Sequence, residues 1–180
     1  MSAESAQLKR KLKPGHLIYT LISEHEMILG FLADLAKLNF SIQKMKNYDG
    51  EKEVFKKLKD VAEHLAEAEP HHQREEKVLF PELEKKGVIG PPELMRQEHK
   101  ELRAQKKILE KISKNTKKME FKDFKRQLGD SSNLITLTLR NHIDKEDSIL
   151  YPIALEVIEE GSWPRMKKEC DKIGYCCFTP

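Results

Sequence analysis

Apolar residues recur at three- and four-residue intervals along most of this chain, and that rhythm predicts long helices. Over 14–46, Leu17, Leu21, Ile28, Leu32, Leu35 and Leu38 share one helical face, and Pro14 suits a first helical position, where its missing N–H costs nothing. Asn47-Tyr48-Asp49-Gly50 reads as a turn. A second helix is predicted over 51–86, closing at Gly87 ahead of Gly90-Pro91-Pro92, with Pro70 expected to kink it. A third starts at Pro92 and fades near Lys114-Asn115. A fourth covers 121–160, with Gly129-Asp130 as a point of interruption, and stops at Gly161. A short helical piece over 163–173 follows, and 174–180 shows no period. Four helices with short connections predict an all-α, antiparallel up-down four-helix bundle with a short C-terminal helical extension. The organisation read from this pattern is an N-terminal extension 1–13, a bundle 14–160 and a C-terminal extension 161–180.

Composition narrows the picture a little. At 180 residues the chain is long enough for one domain with a real core. Charged residues reach 35% but nearly cancel, to a net +3, so nothing in the charge argues for a nucleic-acid partner. No run of 18 apolar residues predicts a membrane span, and residues 1–13 lack the apolar stretch of a signal peptide. The three cysteines, Cys170, Cys176 and Cys177, cluster at one end, unlike a secreted disulfide framework. A cytoplasmic protein is expected.

The chemistry is carried by an internal repeat. The first helix holds Ser23-Glu24-His25-Glu26 and the third Gln97-Glu98-His99-Lys100. The second holds a run from His71 to Phe80-Pro81, and the fourth a similar run from His142 to Tyr151-Pro152. Aligning the two Pro motifs pairs His71 with His142 and Glu75 with Glu146, 71 positions apart, while His25 and His99 stand 74 apart. Each half of the chain thus offers one His from its first helix and a His-x-x-x-Glu from its second. Residues four apart share a helix face, so a His and a Glu at that spacing can grip one ion or two neighbouring ones. Imidazole with carboxylate suits iron, manganese or zinc. In an antiparallel bundle His25, His71, His99 and His142 fall within about one turn of a common level, at about 1.5 Å rise per residue. A lone His-x-x-x-Glu is usually a surface pair and a lone His beside apolar positions is usually a core histidine. The doubled motif at matched level points instead to a metal held by His25, His71, Glu75, His99, His142 and Glu146. Such a site needs neutral imidazoles and ionised carboxylates, so it should weaken in acid.

Other histidines are less defined. His64 precedes His71 by two turns, so it points inward and reads as an extra ligand, a channel lining or a core histidine, with a supporting or channel role favoured. His72 matches Ile143 in the repeat and reads as packing or a partner to a carboxylate. His16 falls opposite His25 on a continuous helix and serves the site only if the chain there is irregular. Catalysis on a defined substrate has little support, since no phosphate-binding Gly loop, nucleophile elbow or Cys–His pair at bundle level is present.

The segments HHQREEKVLFPELEKKGVIGPPELM (His71 to Met95) and HIDKEDSILYP, with Pro14-Gly15-His16 and Trp163…Ile173-Gly174-Tyr175-Cys176, resemble the hemerythrin-like (HHE cation-binding) family. They are similar to the subfamily often fused to a PAS sensory domain, for which residues 161–180 are too few. The resemblance implies a di-iron centre, two Fe with an oxo or hydroxo bridge, ligated by the six residues above and able to meet O2, NO or peroxide. Oxygen carriers of the family place two histidines four apart on the third helix, whereas Met95 and Arg103 flank His99 here. The centre then stands one imidazole short, which favours sensing, scavenging, iron handling or weak peroxide or NO chemistry over reversible transport. The rival readings are a redox- or gas-responsive interaction module using 163–180, and a structural bundle with a single Zn. Self-association stays open.

Overall fold

The apolar stripe of the first helix becomes the first wall of a bundle: α2 (Leu17–Lys44) buries Leu17, Leu21, Ile28, Leu32 and Leu35 along one side. A computed structural model describes residues 3–49 and 52–180 of the chain. Gly50 and Glu51, where the first turn and the second helix were expected to meet, lie outside the described residues, as do Met1 and Ser2. Among the described residues, the second wall is assembled in pieces: α3 (Lys52–Ala66), α4 (Glu69–Arg74), a π-helical turn (Glu75–Leu79) and α5 (Phe80–Lys85). The third is α6 (Gly90–Lys114); the fourth is α7 (Phe121–Lys145), a second π turn (Glu146–Leu150) and α8 (Tyr151–Val157). α2, α3, α6 and α7 touch in a closed ring, each wall against the next, as an all-α four-helix bundle requires. Outside it lie α1 (Ala3–Arg10), against α2 and the second π turn, and α9 (Trp163–Ile173), against α2, α4 and the first π turn. No helix among the described residues is long and apolar enough to cross a membrane.

Several expected boundaries move, each for a local reason. The first helix begins at Leu17 rather than Pro14, because His16 is its N-cap and its Nδ1 accepts the Ile18 N–H at 3.2 Å. Pro70 opens α4 instead of kinking a continuous helix. Without an N–H it cannot bond the Ala66 carbonyl, so α3 stops there and the chain restarts at Glu69. Gly129 does not interrupt α7 at all. The interruption comes seventeen residues later, at the π turn. α1 was not expected, since its segment shows little apolar period.

Both π turns have the same origin. Pro81 and Pro152 have no N–H to offer the carbonyls of Lys77 and Ser148, so the ordinary i→i−4 ladder fails there. The preceding residue bonds one position further back: Phe80 N–H to Glu75 O, and Tyr151 N–H to Glu146 O. Each π turn therefore starts on a glutamate of the predicted metal set.

Apolar packing falls into two clusters. One gathers Leu32, Leu35, Leu58, Leu65, Leu109, Phe124 and Leu128. The other gathers Ile18, Leu21, Phe80, Leu83, Tyr151, Trp163 and Met166. A buried polar layer lies where the two meet. In Pro81→Ala the new N–H can reach the Lys77 carbonyl and regularise the turn. A proline inside a helix costs up to about 3 kcal/mol, so thermal melts should show the metal-free variant stabilised by about 1 kcal/mol or more. A metal titration of the same variant should show weakened binding, because Glu75 loses its place; equal binding would separate the π turn from the site.

Candidate metal centre

The layer is built from four walls at one level. His25 comes from α2, His71 from α4, His99 from α6 and His142 from α7, with Glu75 and Glu146 from the two π turns. All six are fully buried. His25 Nε2 and His71 Nε2 face one another at 3.1 Å. Glu146 reaches both sides: its Oε2 lies 3.2 Å from His25 Nε2 and its Oε1 lies 2.9 Å from His142 Nε2. Glu75 Oε2 lies 3.5 Å from His71 Nε2 and 3.5 Å from His99 Nε2. Ligand-type atoms of His25, His71 and Glu146 lie within 4.8 Å of one another, as do those of Glu75, His99 and Glu146, and of His72, His99 and His142.

Every imidazole of the four is aimed by a carboxylate behind it. Nδ1 of His25 donates to Asp147 at 2.8 Å, of His71 to Glu24 at 2.7 Å, of His99 to Glu76 at 2.8 Å and of His142 to Glu98 at 2.7 Å. A carboxylate only accepts, so these contacts fix the Nδ1–H tautomer and turn the Nε2 lone pairs inward. Arg74 bonds Glu24 at 2.6 Å, and Lys145 bonds Glu98. Aromatic rings lie alongside: Tyr151 stacks on His25 at 5.6 Å, and Phe80 on His99 at 5.9 Å. The repeat thus extends outward, with Glu24 matching Glu98, Arg74 matching Lys145, Glu76 matching Asp147 and Phe80 matching Tyr151. The sequence signal for these supporting residues was present in the aligned motifs, which hold like residues at like positions.

Electrostatics follow from burial and pairing. Burial opposes the charge of Glu24, but the His71 hydrogen bond and the charges of His71 and Arg74 win and hold it at about 2. Burial dominates at His71, which falls to about 4. At His25 burial is outweighed by Asp147 and Glu146, which raise it to about 10. Burial and the charge of Glu146 push Glu75 well up, while Glu146 stays well below the usual carboxylate range, against burial, beside His142. His72 is held far down by burial and then by Lys106, so it stays neutral.

The inward atoms do not satisfy one another. Glu75 Oε2, both oxygens of Glu146, and Nε2 of His99 and His142 are buried without a hydrogen-bond partner among the described residues. Orphans of this kind cost about 1–3 kcal/mol each, and here they share one point. His25 Nε2 and His71 Nε2 share one hydrogen bond at 3.1 Å, and a cation between them would take the place of the proton that a raised His25 holds there. The donor set, nitrogen and carboxylate oxygen without thiolate, fits a hard or borderline metal ion.

Three histidines fall elsewhere than expected or in a new place. His16 is a helix cap packed on Trp163 at 4.5 Å and does not reach the layer. His64 does not point inward. The break after Ala66 separates its helix from α4, and it stacks on Phe31 at 4.9 Å, close to Glu67 and 3.6 Å from Cys177 Sγ. Cys177 is exposed and its thiol is raised by Glu67, so this Cys–His contact yields no activated thiolate. None of the three cysteines is in a disulfide. Among the described residues His72 Nδ1 has no hydrogen-bond partner, and its ring lies against His99. Tyr151, whose hydroxyl donates to Glu75 Oε1 at 2.8 Å, was read only as part of the repeat.

Of the four supporting carboxylates, the repeat-matched Glu24 and Glu98 differ in burial. Arg74 and Glu24 are both 0% exposed, whereas Lys145 and Glu98 are 34% and 24% exposed. Glu24→Ala leaves a buried guanidinium without its counter-charge, so chemical denaturation of the metal-free protein should show a loss of about 3–5 kcal/mol. Glu98→Ala should cost only about 1 kcal/mol, because Lys145 can turn to water. Equal costs would mean that the pairing in the two halves has the same weight.

A comparison with curated proteins finds no match. The model of the hemerythrin HHE cation binding domain matches residues 16–154, which takes in every histidine and carboxylate of the layer. The match covers well over half of the chain, and the chain is therefore a metal-binding domain of the hemerythrin HHE cation-binding family.

Proposed function

We propose that the chain holds two iron ions side by side, one between His25 and His71 and the other between His99 and His142, with Glu75 and Glu146 shared between them. The observation that carries this reading is the division of Glu146, whose two oxygens face different histidine pairs at 3.2 Å and 2.9 Å. Glu75, equidistant at 3.5 Å from His71 and His99, adds to it. Iron at such a site supplies a redox-active centre that binds O2, NO or peroxide, and zinc or manganese are the alternative occupants of this donor set.

The protein's own part is to hold the donors and keep water out. Two apolar clusters close the layer on either side, and four Nδ1–carboxylate bonds keep Nε2 presented. The Tyr151 hydroxyl sits 2.8 Å from Glu75 and 3.5 Å from His25 Nε2, which places one mobile proton beside the first histidine pair. These features suit binding, sensing or storage better than turnover of a defined substrate.

One observation favours the variant in which the domain signals through its tail. Thr179 donates to Glu24, the carboxylate that orients His71, and Tyr175 covers Arg74 at 4.7 Å. A change at the centre is thus one hydrogen bond from residues 174–180.

Iron loading without oxygen, followed by metal analysis and ultraviolet–visible spectra before and after air, tests the first reading. About two irons per chain with near-ultraviolet bands are expected, and Glu75→Gln or Glu146→Gln should lower the count. A single zinc with no band would leave a structural bundle. For the tail, hydrogen exchange at 174–180 should differ between metal-free and loaded protein; identical protection would detach the tail from the centre.

A further inference from the structure

The repeat around the centre is kept at nearly every position, which makes its breaks informative. At one break His72 stands where the other half has Ile143. Ile143 is an ordinary member of the apolar cluster. His72 is equally buried, at 3% exposure, but its Nδ1 has no hydrogen-bond partner among the described residues. A side chain serving only to fill this space would do so better as isoleucine, since an orphaned buried nitrogen costs about 1–3 kcal/mol.

Its placement is specific. The ring lies flat on His99, with centroids 3.9 Å apart and planes 9° from parallel, and 6.0 Å from His142. One nitrogen of His72 lies within 4.8 Å of one nitrogen each of His99 and His142, and all three residues are buried. His71 and His72 are consecutive, so they leave α4 in directions roughly 100° apart. His71 turns to His25 and Glu24, while His72 turns to His99 and His142. A single turn of helix thereby feeds both sides of the layer.

We propose that His72 is a metal ligand, a fifth imidazole that makes the His99–His142 position a three-histidine site, and that this position takes up the first ion. The proposal rests on the two-ion reading above. The sequence argued for a centre one imidazole short because α6 places Met95 and Arg103 where a second histidine would stand. The missing nitrogen comes from the neighbouring wall instead. Within the matched ring pair, the hydroxyl that Tyr151 adds to what is Phe80 in the other half falls on the opposite side of the layer, beside His25, so the two sides differ in polar groups as well as in the number of imidazoles.

Two substitutions separate ligation from packing. His72→Ile installs the residue that the repeat itself uses, and His72→Phe keeps a flat ring on His99 without a nitrogen. Cobalt(II) is titrated without oxygen into each full-length protein, with visible ligand-field spectra and metal counts per chain as the readouts. The wild type should fill in two steps, the first tighter by about tenfold or more. Losing even a supporting partner of a ligand costs about 10–100-fold in affinity, so both variants should lose the tight first step and its spectrum while the second persists. A His72→Phe protein that titrates and absorbs like the wild type would overturn the proposal and leave His72 as a stacking residue. A wild type that binds a single ion overturns the two-ion reading instead. In that case a weakened ion in His72→Phe still assigns His72 as a ligand, and an unchanged one removes it.

Discussion

A buried layer of imidazoles and carboxylates between two apolar cores is the constraint on which the rest of this molecule depends. Charges and polar atoms taken out of water must find partners inside, or they cost more than the surrounding packing returns. The outward face of each histidine is satisfied by a carboxylate, and three of those carboxylates, Glu24, Glu98 and Glu76, by Arg74, Lys145 and Arg103. The inward face is left open, with five orphaned atoms gathered at one place among the described residues. A fold that satisfied only itself would have no reason to gather most of its unsatisfied buried atoms at one point, with only Arg74 Nη1 and Thr136 Oγ1 away from the layer's histidines and glutamates among the described residues. The asymmetry between Nδ1 atoms that are all paired and inward atoms that are mostly not is one that a bound cation would resolve.

The prolines that follow the motif serve that layer. Pro81 and Pro152 break the hydrogen-bond ladder one turn beyond Glu75 and Glu146, and the helix answers by widening under both glutamates. This explains why Phe80-Pro81 and Tyr151-Pro152 recur with the ligand-type residues and not at helix ends, where proline usually sits. Backbone irregularity is placed where the chemistry is, and the regular turns on either side carry the packing.

Much of this was legible in the sequence, and the remainder failed for identifiable reasons. The bundle and the level of the four histidines follow from apolar period and residue rise, both of which are local. Supporting residues such as Glu24, Glu76, Glu98 and Asp147 were written in the repeat but carry no mark apart from being repeated, since Glu and Asp are also the ordinary residues of exposed helix faces. His64 went astray because a continuous helix was assumed across Pro70. The chain breaks at Ala66, and every inference of facing made across that break loses its basis. His16 was expected to face away from His25 on a continuous helix, and it stays away from the layer for a different reason, as the cap ahead of that helix. The tail was opaque because 174–180 has no periodicity, so only tertiary contacts place Thr179 on Glu24.

A repeated sequence also sets a baseline against which single residues acquire meaning. Two hairpins of like sequence, closing on each other, would give two equivalent metal positions if the repeat were perfect. Glu24 with Glu98, and Arg74 with Lys145, keep that equivalence in connectivity but not in burial: one pair is sealed beneath α9 and the tail, and the other lies at the rim. His72 and Tyr151 depart from it inside the layer itself. Burial and side-chain identity thus both make the two sides of the layer unequal. The difference rests on single residues, His72 against His99 and Tyr151 against His25, set on a repeat that would otherwise make the two sides alike.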